Sequence, residues 1–147
     1  MSYPTKIETG WANEYVGIPF KEFGRGEDGL DCYGLIRLVF LERHNIELPT
    51  LLDTYCSTRD RERNAQQIHR EALESENWVR ILPGQEKPFD VIVARIYGLP
   101  CHLAIVVRKG IMLHASRNCD ASTEDYTKGT WKAPGKITGF YRHKELC

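Results

Sequence analysis

Asp31-Cys32-Tyr33-Gly34-Leu35-Ile36-Arg37-Leu38-Val39-Phe40-Leu41-Glu42-Arg43 is the stretch on which the reading of the fold turns. Leu35, Ile36, Val39 and Phe40 recur at helical spacing and mark one buried face. Asp31 is a good N-cap, because its carboxylate accepts from the exposed backbone N–H groups of a first turn. The spacing predicts a helix from Asp31 to about Arg43. It ends before Asn45, and Leu48-Pro49 forbids an early restart. Upstream, Gly24-Arg25-Gly26-Glu27-Asp28-Gly29 holds three glycines in six residues and predicts a flexible loop. Trp11 to Tyr15 is one short helix, stopped at Gly17-Ile18-Pro19-Phe20, and the first ten residues are an irregular arm. A second helix is expected from about Arg59 to Ser75. Ser57 with Asp60 three residues on resembles a capping box, with Asp where a capping box proper has Glu or Gln, and Ala65, Ile68, Ala72 and Leu73 form its narrow apolar stripe.

Beyond Ser75 the period changes. Phe89–Ile96, His102–Val107, Ile111–Ala115 and Lys136–Arg142 are short, rich in β-branched or aromatic residues and bounded by Gly or Pro, so they read as strands. Helices first and strands later predict an α+β layout, a helical layer on an antiparallel sheet, in a single domain over residues 1–147.

Composition narrows the function. Hydrophobic residues make up 41% of the chain and charged residues 27%, enough apolar material for one core. No stretch approaches the roughly 20 apolar residues of a membrane-spanning helix, and Met1 to Lys6 lacks a signal-peptide run, so no membrane partner is expected. Lys plus Arg equals Asp plus Glu at 20 each, against the basic excess of a nucleic-acid binder. Five cysteines at irregular spacing indicate free thiols in a reducing compartment.

Cys32 stands out among them. It falls at the first position of the strong helix, where unpaired N–H groups and the helix dipole favour a thiolate over a thiol. A thiolate nucleophile needs a base, usually His. His44 ends the helix, where an imidazolium suits the dipole, and His69 and His143 read as solvated. His102 and His114 lie on two strands joined by Arg108-Lys109-Gly110. A three-residue loop with Gly third pairs Val107 with Ile111 and puts His114 opposite Ala104. Both imidazoles then face one side as diagonal neighbours, so one serves as base while the other orients it; a two-residue loop would separate them. Two unrelated edge histidines are the plainer alternative. Zinc held by Cys101, His102, His114 and Cys119 is disfavoured, because Cys101 and His102 are adjacent in a strand and no Cys-x-x-Cys knuckle exists. No metal or cofactor is expected.

At this point the motifs resemble a known family. Gly17-Ile18-Pro19-Phe20, Asp31-Cys32-Tyr33-Gly34-Leu35 and Leu48-Pro49 look like the opening of the NlpC/P60 cell-wall cysteine peptidases. Phe89-Asp90-Val91 resembles the family's Gly-Asp-hydrophobic strand start. His102-Leu103-Ala104-Ile105-Val106 and Met112-Leu113-His114-Ala115 resemble its two histidine strands. The resemblance runs from about Trp11 to Arg142 and implies a papain-like, NlpC-type fold. It implies Cys32 as nucleophile, His102 as general base and acid, and His114 as the third, orienting residue. It further implies hydrolysis of peptidoglycan stem peptides, typically between D-γ-glutamate and a diamino acid. The acyl-enzyme would form on Cys32, with the oxyanion held partly by the backbone N–H of that residue.

Two positions depart from the family pattern. Phe20 stands where the family often has Tyr, and Tyr33 where many members have Ser. Asp31, Tyr33 and Phe20 are the substrate-contacting candidates, with Asp31 attracting an amine and the Tyr33 ring expected to line the cleft. Arg95, Tyr97 and residues 53–60 are further candidate contacts. The aromatic after Cys32 and the closing Gly139-Phe140-Tyr141-Arg142 look more like the branch carried by tailed phages and gene-transfer particles. That implies synthesis in the cytoplasm, delivery on a virion tail and other tail-tip proteins as partners. A tail-assembly module of the same fold without hydrolysis, and a papain-like amidase or acyltransferase on a non-wall substrate, are the competing readings.

Overall fold

The computed structural model describes residues 10–22, 24–26, 28–49, 75–96, 99–116 and 119–147. Helix α1 (Cys32–His44) starts where expected: Asp31 is extended, and its Oδ1 accepts the Gly34 N–H at 2.7 Å. At the other end Asn45 takes the left-handed conformation at φ 54°, and the N–H groups of Asn45 and Ile46 bond the carbonyls of Leu41 and Phe40. Asn tolerates that conformation better than most residues, which stops the helix there. The helix expected over residues 59–75 falls almost wholly outside the described residues.

The glycine-rich stretch is not a loop. Strands β1 (Arg25–Gly26) and β2 (Gly29–Leu30) pair antiparallel as a small ribbon. The first turn of α1 sits directly on it: a Cβ at Gly34 would lie 2.3 Å from the Gly24 carbonyl oxygen. Only glycine fits there. Within the stretch itself a Cβ at Gly24 would lie 2.3 Å from the Gly29 carbonyl oxygen and one at Gly29 2.7 Å from that of Pro19, so two of its three glycines answer to close backbone approach, which local composition alone reads as flexibility.

The remaining strands are β3 (Trp78–Ile81), β4 (Val91–Ile96), β5 (Leu99–Arg108), β6 (Ile111–Ser116), β7 (Cys119–Asp125) and β8 (Ile137–His143). They form a six-stranded antiparallel sheet in the order β3-β8-β4-β5-β6-β7. The expected strands β4, β5, β6 and β8 are present. The edge strands β3 and β7 were not expected. Their sequences, Trp-Val-Arg-Ile and Cys-Asp-Ala-Ser-Thr-Glu-Asp, carry few buried side chains, so pairing with β8 and β6 rather than propensity makes them strands.

The sheet is buried on both faces. Leu35, Ile36, Val39 and Phe40 of α1 pack with Val91, Val93, Leu103, Ile105 and Leu113. On the other face Ile92, Ala104, Val106, Met112 and Phe140 form a second core, covered by Tyr126 and Trp131. Each fully buried aliphatic or aromatic side chain here contributes roughly 1.5–3 kcal/mol. Two-sided burial explains why β4 and β5 read as nearly continuous apolar runs. Among the described residues no helix is long and apolar enough to cross a membrane.

Candidate active site

Cys32 occupies the first position of α1, immediately after the Asp31 cap. Its side chain is half-buried and packs at the margin of the helix-side core. The helix places its partial positive end at this thiol, which favours the ionised form.

The two strand histidines do meet, by a route different from the one expected. Arg108 pairs with Ile111 around a two-residue turn, Lys109-Gly110, with Gly110 at φ 100°. That turn by itself would put the imidazoles on opposite faces. A bulge at Val107 inserts one residue and shifts the alternation back, so Val106 pairs Met112 and Ile105 pairs Leu113. Continuing that register sets His114 level with Ala104, two residues from His102. The rings lie 5.1 Å apart at 80°, with His102 Nε2 and His114 Nδ1 separated by 2.9 Å. His114 Nε2 in turn lies 2.9 Å from Glu124 Oε2 on β7. Trp131 covers both rings, at 5.8 Å from His102 and 5.5 Å from His114, and Lys136 sits over the Trp131 ring at 5.1 Å.

Burial dominates the electrostatics. His102 and His114 are only 3% and 6% exposed. Burial, with smaller contributions from His114 and Lys136, lowers the pKa of His102 to about 3. His114 is also lowered by burial, with the Glu124 carboxylate pulling the other way. Both imidazoles are therefore neutral near pH 7, a state in which one ring nitrogen of each can act as a base.

Side-chain alternation puts both imidazoles on the sheet face of the second core, since Leu103, Ile105 and Leu113 point to the helix. The structure thus joins His102 to His114.

The remaining candidates behave differently from one another. Asp31 is buried and caps the helix through Oδ1. Tyr33 is a correction: its ring does not line an open cleft but is 2% exposed within the helix-side core, and its hydroxyl donates to the Pro49 carbonyl at 2.7 Å. A helix whose first turn is wedged between ribbon and sheet has no solvent-facing direction for that ring. Phe20 is half-buried against the same core, and its N–H donates to Asp120 Oδ1 at 3.0 Å. Arg95 is exposed beside the β4 bulge. Tyr97 and residues 53–60 lie outside the described residues. Among the described residues no group of three His, Cys, Asp or Glu side chains is placed to hold a metal. Sequence reasoning missed Glu124 and Trp131. The signal for Glu124 was its place on the strand neighbouring β6, opposite Met112 and on the His114 face, visible only once β7 is read as a strand.

A family model described as the NlpC/P60 family matches residues 17–137. No curated protein matches the chain. Among solved structures, an NlpC/P60 family protein from Bacillus cereus superposes with a TM-score of 0.63 at 16% identity, over 92% of this chain and 39% of that one. The NlpC/p60 domain of the peptidoglycan hydrolase SagA gives 0.54 at 21%, over 80% and 86%. The peptidoglycan hydrolase RipB from Mycobacterium tuberculosis gives 0.52 at 19%, over 97% and 72%. The chain thus spans about two fifths of the Bacillus protein. At these identities the likeness is one of fold.

Proposed function

The chain belongs to the NlpC/P60 family, and from that premise we propose that it is a cysteine peptidase hydrolysing amide bonds of peptidoglycan stem peptides. The observation that carries the reading is the buried His102–His114 pair, twelve residues apart on adjacent strands, in a chain whose one α-helix among the described residues begins at a capped cysteine. His102 engages His114 through Nε2, which leaves Nδ1 as the nitrogen that would take the Cys32 proton.

In this scheme Nδ1 of His102 accepts the Sγ proton and the thiolate attacks the amide carbonyl carbon. The oxyanion develops near the positive end of α1. The proton passes from His102 to the leaving nitrogen, the C–N bond breaks, and an acyl thioester remains on Cys32. Water then gives a proton to His102 and its oxygen to the carbonyl carbon. The thiolate leaves, regains that proton, and the acid product departs. The bond between D-γ-glutamate and a diamino acid is the specific substrate of this reading.

The experiment is a muropeptide digest by the full chain, by Cys32→Ala and by His102→Ala, alongside iodoacetamide alkylation of Cys32 and Cys119 against pH. We expect cleavage by the natural chain only, with Cys32 alkylated faster than Cys119 at neutral pH. Equal alkylation rates and no cleavage would remove the peptidase. A second reading, a tail-assembly module of the same fold without hydrolysis, is favoured by Phe20 at a position where the family often has Tyr. That outcome of the digest, with the chain found in purified phage tails, supports it. A tail-tip setting for either reading rests on the likeness of Tyr33 and Gly139-Phe140-Tyr141-Arg142 to the phage-borne branch.

A further inference from the structure

We propose that Glu124 is a positioning residue that sets the tautomers of both imidazoles, leaving the lone pair of His102 on Nδ1. The argument is one of proton counting. An ionised carboxylate only accepts, so the 2.9 Å contact between Glu124 Oε2 and His114 Nε2 requires the hydrogen on His114 Nε2. A neutral imidazole then has a bare Nδ1, which accepts from the hydrogen on His102 Nε2 at 2.9 Å. His102 is neutral as well, so its Nδ1 is bare. The opposite assignment would set the His114 Nε2 lone pair against a carboxylate oxygen at hydrogen-bond distance, which repels. Burial of both rings, and Trp131 laid across them, removes water as an alternative partner. Glu124 itself is 47% exposed, and this contact anchors its carboxylate at the edge of the buried pair. Its place opposite Met112, one strand over from His114, is supplied by β7.

The inference rests on the proposed chemistry only where it speaks of a base; the tautomers are observable without turnover. The test is long-range proton–nitrogen NMR of the nitrogen-15-labelled full chain near pH 7. We expect both His102 and His114 as the Nε2–H form in the natural chain. Glu124→Ala should shift one or both toward mixed tautomers. Glu124→Gln, which keeps an acceptor oxygen, should restore them. In the muropeptide assay Glu124→Ala should lose roughly 10–100-fold in kcat with KM unchanged, the scale of losing a partner that orients a functional histidine, and Glu124→Gln should recover most of it. An Nδ1–H His102 in the natural chain, unchanged tautomers in Glu124→Ala, or a Gln variant that behaves like Ala would each overturn the proposal. Tautomers as assigned in a chain that cleaves nothing would overturn the peptidase and leave the role of Glu124 standing.

Discussion

Phe89 shows what a single residue costs and contributes here. It sits at φ 74°, in the left-handed region, at the strand start where the family pattern has glycine. A side chain there costs roughly 1–2 kcal/mol relative to glycine. The ring offsets this: it stacks on Trp11 at 4.6 Å and meets the edge of His44 at 4.3 Å, while the Phe89 N–H donates to the Val106 carbonyl at 2.8 Å. Phe89→Ala keeps the strain and loses the ring; Phe89→Gly loses the ring and the strain together. Both should destabilise, Ala more than Gly by about 1 kcal/mol, against the usual order in which Gly is worse. Urea unfolding midpoints decide it, and equal midpoints would mean that the backbone is unstrained. At this scale the sequence was legible where function is local. The Asp31 cap acts within three residues of itself, so its role was readable, whereas the direction of the Tyr33 ring depends on a ribbon and a sheet remote in the chain.

Between elements, Asp90 and Arg142 tie the start of β4 to β8. Arg142 Nε donates to Asp90 Oδ1 and its Nη2 to Oδ2, both at 2.8 Å, and Asp90 also accepts from the Lys87 N–H. The carboxylate is 1% exposed and the guanidinium 15%. Removing one partner of such a pair strands a charge, which costs about 3–5 kcal/mol, whereas removing both costs less than the sum. We expect Arg142→Leu to destabilise by about 3 kcal/mol, with a coupling above 1 kcal/mol to Asp90→Asn in a double-mutant cycle. Additive effects would reduce the pair to a surface contact. The β5–β6 hairpin carries the lesson about register. Composition located both strands, and a three-residue turn was the ground for facing the histidines together; the turn is one residue shorter and a bulge at Val107 restores the alignment. Turn and bulge exchange a residue without altering the apolar pattern farther along, so the pattern reveals the net register and hides how it is reached.

For the molecule as a whole, the buried histidines predict sensitivity to acid. His102 is lowered to about 3, and His114, His44 and His143 are lowered too, with burial the leading cause in each. A folded pKa below the unfolded value of roughly 6.5 means that the unfolded chain binds more protons as the pH falls. The stabilisation is complete above that value and is lost between it and about pH 3. His102 alone contributes a slope approaching ~1.4 kcal/mol per pH unit in that window. Thermal unfolding should show Tm dropping from pH 7 to pH 4, with a flatter profile in His102→Gln; a flat profile in the natural chain would deny the burial. The sequence by itself determined the α+β class, the capped helix and four of the six sheet strands; the shared face of the two histidines was reached through a bulge that it did not show. The class, the helix and the four strands follow from local periodicity and capping, which act within a few residues. Tertiary structure alone decided the ribbon at residues 25–30, the edge strands β3 and β7, the burial of Tyr33, and the placing of Glu124 and Trp131 on the histidine pair. Those depend on partners distant in the chain, whose packing and hydrogen bonds outweigh the weak local preference of polar or glycine-rich segments.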